Sequence, residues 1–87
     1  MDSDEQLDKD KTLYTMTNED GSPSKITLDK LASDILQEMI PDVHKWLQEK
    51  YDIVCMKKPH LSRRAKGDLV RALAYAEMVK SPRLSDF

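Results

Sequence analysis

The hydrophobic positions of the chain change period along its length. Leu28, Leu31, Ala32, Ile35, Leu36 and Met39 recur at intervals of three and four, which places them on one face of a helix. The spacing predicts a first helix over 27–39, with Thr27 as its cap and Asp29 in a first turn that favours acids. Ile40-Pro41 ends it, because proline disfavours helical backbone in the residue before it and suits the start of a new helix. A second helix over 41–51 carries Val43, Trp46, Leu47 and Tyr51 at helical spacing. That spacing points the two aromatics at the core; the other role open to them is an anchor in a partner interface. Asp52 to Met56 is apolar and β-branched and reads as a short strand or a buried connector. Lys57 to Leu61 reads as a loop, and Ser62 caps a third helix over 62–80 that Ser81-Pro82 stops. Its expected inner face is Ala65, Leu69, Ala72, Leu73, Ala76 and Val79 or Met78. Gly67 lies inside this helix and costs it about 1 kcal/mol relative to alanine.

Before these helices the pattern is that of strands. Leu13 to Thr17 is rich in strand formers, Asn18 to Pro23 is a turn cluster, and Lys25-Ile26-Thr27 reads as a short return strand. A hairpin of two strands is not stable alone, so it must lie on the helices. Residues 1–12 read as a disordered acidic tail and 81–87 as a short C-terminal tail. Between them, 13–80 form one small domain. The expected class is mainly α: three helices in a helix-turn-helix or winged-helix-like layout, with a small N-terminal β-hairpin. A connector of about ten residues before the third helix is longer than a tight turn, so that layout rests on the order of the elements.

Length and composition narrow the classes. At 87 residues, 39% hydrophobic and 34% charged, the chain forms a core that is marginal when alone, so a partner or homodimerisation would add stability. The alanines at 72, 74 and 76 fit a homodimer seam as well as burial within the monomer. Cys55 is the single cysteine, which excludes an internal disulfide and points to an intracellular site, cytoplasm or nucleus. No apolar run reads as a signal peptide or approaches the roughly 20 residues of a membrane span.

Catalytic and metal chemistry find little support. His44, Cys55 and His60 are the soft ligand candidates, and they lack the paired spacing of a structural zinc site. Cys55 sits in an apolar run, where a thiol is inert. The two glycines, Gly21 and Gly67, build no phosphate loop, dinucleotide fingerprint or nucleophile elbow. Asp34 and Glu38 are neighbours on a helix surface. The expectation is a non-enzymatic protein without cofactor or metal.

Charge changes the picture most. The net charge is −2, yet residues 57–71 hold six cations against Asp68, a local +5. Opposed charge blocks of this kind point to a polyanion partner. Arg63, Arg64 and Lys66 follow Ser62 in a first helical turn, where the helix dipole favours anions instead. Free backbone N–H groups and these cations would converge on a phosphate. The sequence therefore predicts a small non-enzymatic DNA-binding or regulatory protein. Its nucleic-acid contacts would be Lys57, Lys58, His60, Arg63, Arg64, Lys66 and Arg71. The plain alternative for the run is a solvated face, with Arg64 and Asp68 paired at i, i+4. The alternative function is a protein–protein interaction module, an adaptor or inhibitor of a larger protein, with no nucleic-acid contact.

Overall fold

A computed structural model describes residues 10–85. Most of the expected acidic tail, residues 1–9, lies outside the described residues, as do 86–87. The elements run β1 (Lys11–Thr17), β2 (Pro23–Asp29), α1 (Lys30–Met39), α2 (Val43–Lys57), α3 (Arg63–Met78) and α4 (Pro82–Ser85). The protein is mainly α with a small N-terminal hairpin, as its periodicity predicts.

β1 and β2 pair antiparallel from Lys11 opposite Asp29 to Thr17 opposite Pro23. Alternation sends Tyr14, Met16, Ile26 and Leu28 toward the helices and Leu13, Thr15 and Lys25 outward. The connecting turn closes with the Gly21 amide donating to Asn18 O, and Gly21 takes a left-handed φ of 85° that glycine adopts without strain. The inner face of the hairpin packs on Leu36 of α1, on Val43, Leu47, Tyr51 and Val54 of α2, and on Val70 and Ala74 of α3. Trp46 and Tyr75 are partly buried against this core.

Side chains from the helices reach each free edge of the hairpin. On the β1 edge, His44 Nε2 donates to Thr15 O at 2.7 Å. Gln48 there accepts from Thr17 N at 2.8 Å and donates to Thr17 O at 3.1 Å. On the β2 edge, Arg71 Nε donates to Thr27 O at 3.0 Å. Strand edges left open invite pairing with other chains, and here α2 and α3 take up some of the groups that would do so, at Thr15 and Thr17 on one edge and at Thr27 on the other.

Several boundaries differ from those the sequence predicts. β1 begins at Lys11, inside the stretch expected to be a tail, because Lys11 pairs with Asp29 across the hairpin. Thr27 does not cap α1 but lies within β2. Asp29 holds the cap position without a capping bond, since its carboxylate accepts from Lys11 Nζ at 2.7 Å instead. α2 starts at Val43, with Asp42 Oδ1 accepting from Lys45 N, so Pro41 precedes the helix. It then continues through the segment read as a strand or connector, to Lys57. Burial of Tyr51 and Val54 extends the stripe begun by Val43 and Leu47, and that packing overrides the β preference of Ile53-Val54. The connector to α3 is therefore residues 58–62, about half the expected length.

The largest correction concerns the face of α3. Its buried residues are Gly67, Val70 and Ala74, while Leu69 and Leu73 are 39% and 40% exposed and Ala72 and Ala76 face solvent. The cause is which side of α3 meets the sheet. Gly67 faces β2, where a Cβ placed on it would make ordinary contact with Ile26 Cγ1 at 3.8 Å. Small residues let the helix reach the sheet, and the leucines turn away. Leu31, expected on the inner face of α1, is likewise exposed. Beyond α3, the tail predicted for 81–87 contains the short helix α4, which Arg83 ties to α1 through Glu38 Oε2 at 3.0 Å.

Candidate functional site

Ser62 caps α3 as its sequence predicts, accepting from Ala65 N at 3.1 Å. No acid enters the first turn. The cations of residues 57–71 do not gather in one place. They divide among three concavities.

The first lies between β2 and α3 and encloses about 390 Å³. Lys25, Arg63, Arg64 and Arg71 line it, with Asp68 the one acid and Gly67 among the remaining lining residues. Two of these cations are engaged within the chain. Arg63 Nη2 donates to Ser22 Oγ at 2.6 Å and stands 3.4 Å from Asp20 Oδ2. Arg71 reaches the Thr27 carbonyl and donates to Asp68 Oδ1 at 3.1 Å. Arg64 and Lys25 have no carboxylate partner among the described residues. The i, i+4 pair of Arg64 with Asp68 does not form; Asp68 pairs with Arg71.

The second concavity, of about 350 Å³, joins the hairpin turn to the α2–α3 loop. Lys66 is half-buried there beside Arg63, Cys55 and Pro59, facing Glu19 and Asp20. Asp20 accepts from the hydroxyl and the amide of Ser22, at 2.6 and 2.9 Å. Those bonds, with the Arg63 guanidinium adding to them, hold its carboxyl below the usual aspartate range. Cation and acid therefore meet in this concavity.

The third concavity, of about 380 Å³, runs between α2 and α3. It holds Lys57 and Lys58 together with Lys50, above Ile53, Leu69 and Leu73. His60 is exposed in the α2–α3 loop and lines none of the three. Sequence reasoning missed Lys25 and Lys50, which lie outside the basic run, and took Leu69 and Leu73 for core. The available signal for Lys25 was its outward register opposite Thr15. Among the described residues, no three His, Cys, Asp or Glu side chains gather to hold a metal ion. No helix there is long and apolar enough to cross a membrane.

Compared with protein-family models, curated proteins and solved structures, the chain matches none. Its site has to be read from its own geometry.

Proposed function

We propose that the protein is a small non-enzymatic interaction module that docks a protein partner across α2 and α3, as an adaptor or inhibitor of a larger protein would. One observation carries this reading. The solvent side of α3 presents Leu69, Ala72, Leu73 and Ala76, and Ile53 and Met56 of α2 are 38% and 72% exposed. Single exposed apolar residues are ordinary, but a contiguous apolar face on a small domain marks an interaction surface. The exposed cations of α3, Arg63 and Arg64, stand in its first turn, while its exposed positions 69, 72, 73 and 76 carry none of the cations and amides that read a nucleic-acid groove.

The test is a photo-crosslinking amino acid at position 73, used in cells with nuclease treatment of the extract. The reading expects a discrete protein adduct that disappears when Ile53 and Leu69 are both changed to Asp in a chain that stays folded. Adducts that are absent, or indifferent to those substitutions, overturn it.

A second reading has its own support. Lys25 from the hairpin converges with Arg63, Arg64 and Arg71 from α3 on one concavity, where a phosphate of DNA or RNA would meet several cations together. Counterion release would then make binding to random duplex DNA steeply salt-dependent. Absence of binding at low salt, or binding indifferent to Lys25→Ala plus Arg64→Ala, removes this reading.

A further inference from the structure

We infer that the partner presents an acidic amphipathic helix to the groove between α2 and α3. The inference rests on the interaction-module reading and adds the chemistry of the occupant.

The groove floor is apolar: Ile53, Leu69 and Leu73, each more than a third exposed. Its rim is cationic: Lys50, Lys57 and Lys58. None of the three lysines has a carboxylate partner among the described residues. The Lys50 ammonium lies 5.3 Å from the centroid of the Trp46 ring, so this rim charge is oriented rather than free to swing away.

A partner that covers the leucines must also cover part of this rim. A neutral apolar segment would desolvate ammonium groups and give nothing back, which opposes binding. A basic segment would add repulsion. Carboxylates flanking the apolar anchors satisfy the rim and steer the approach.

The form of the occupant follows from the walls of the groove. An extended peptide that adds to a sheet needs a strand edge, and the residues that line this groove all belong to α2, α3 and the start of the loop between them. A cleft between two packed helices accepts a third helix, which lays apolar residues spaced i, i+4 along it. Apolar anchors at that spacing with Asp or Glu beside them match the arrangement of Leu69 and Leu73 below three lysines.

The experiment pans a random library of displayed peptides, about 16 residues or four helical turns long, on the whole protein. The best sequence is then synthesised, and its affinity is measured by fluorescence anisotropy at about 50 mM salt, where surface charge is little screened. The expected winners carry apolar pairs at i, i+4 flanked by acids. Changing their Glu residues to Gln weakens binding about tenfold or more. The triple change Lys50→Gln, Lys57→Gln, Lys58→Gln does the same. Leu73→Asp abolishes binding, with Ile53→Ser as the second apolar variant should Leu73→Asp fail to fold. Winners that need the leucines but are neutral or basic overturn the acidic helix and leave the interaction module standing. No enrichment, or enrichment indifferent to the apolar variants, overturns both. A dimer in sedimentation velocity that Leu73→Asp dissolves overturns the inference too, since a second copy then fills the groove.

Discussion

Tyr51 Oη donates to Asn18 Oδ1 at 2.5 Å, joining the middle of α2 to the first residue of the hairpin turn. Tyr51 is fully buried, and Ser24 Oγ lies 3.0 Å from the same hydroxyl. Asn18 in turn donates to Ser22 O and Ser24 Oγ, both at 2.9 Å. One phenol thus holds the turn in register with the helix. Tyr51→Phe preserves the packing but leaves Asn18 Oδ1 without its donor. The expected cost is about 1–3 kcal/mol. Thermal unfolding followed by circular dichroism checks it, and a Tm unchanged from wild type contradicts the account.

Gln48 plays the part of a missing strand. Its amide accepts from Thr17 N and donates to Thr17 O, the exchange a neighbouring strand would make. Gln48→Ala should lower stability by about 1 kcal/mol, the net worth of ordinary hydrogen bonds. The residue-level sign is faster hydrogen exchange of the Thr17 amide, measured by NMR. Exchange that stays as slow in the variant would show that the amide is protected by other means.

The sequence discloses some of this and conceals the rest for physical reasons. Turn residues from Asn18 to Gly21, the break at Pro41 and the Ser62 cap are local signals, and each acts where it stands. The length of α2 was not local: Ile53-Val54 prefers strands by itself, and burial of Tyr51 and Val54 decides the matter. α3 misleads because its apolar residues form two overlapping stripes, one through Leu69 and Leu73 and one through Val70 and Ala74. Choosing between them requires knowing that Gly67 meets Ile26. The basic run is plain in the sequence, but its division is not. Arg63 and Lys58 are near in sequence yet line different concavities, and Lys25 joins the arginines only through the hairpin.

Gly67 offers a substitution with a definite sign. Its backbone is helical, with no positive φ, and an added Cβ would meet Ile26 Cγ1 at 3.8 Å, an ordinary van der Waals contact. Gly67→Ala should therefore gain the helix preference of alanine, about 1 kcal/mol. For a domain of this size that raises Tm by about 4–8 °C. A lower Tm would mean that α3 and β2 are packed more tightly than that distance implies.

Acid should loosen the hairpin. Asp29 is held below its ordinary value of 3.8, first by the bond from Lys11 and then by that ammonium's charge. Asp20 is lowered by Ser22 and then Arg63. Both groups bind protons more readily in the unfolded chain, so their contribution is full above the unfolded value and is lost as pH falls through the folded one. Lys11 is raised by Asp29, so its contribution is full below 10.5 and is lost only at higher pH. Stability from these groups is thus flat around neutrality and falls below about pH 4. Both carboxylates are exposed and screened, so the effect is modest. Thermal melts from neutral to strongly acid pH should fall less steeply for Asp20→Asn plus Asp29→Asn than for wild type. Parallel curves would remove the hairpin carboxylates as the cause.

Arg63 and Arg64 are neighbours with different work, and separating them decides what the basic cleft is for. Arg63 ties α3 to the turn through Ser22 and Asp20, whereas Arg64 faces the cleft without a carboxylate partner among the described residues. Arg63→Ala should lower Tm slightly, by less than about 1 kcal/mol for an exposed pair. Arg64→Ala should leave Tm unchanged. If the cleft takes phosphate, Arg64→Ala weakens duplex DNA binding and lowers the log–log salt slope by about one. Arg63→Ala has a weaker and mixed effect, because removing it also releases Asp20 to repel the phosphate. If the cleft only solvates the fold, Arg64→Ala changes neither stability nor any binding. Thermal melts and a salt titration on the same two variants give four numbers. Loss of DNA binding in Arg64→Ala at constant Tm is the one pattern that a purely structural role for the cations does not produce.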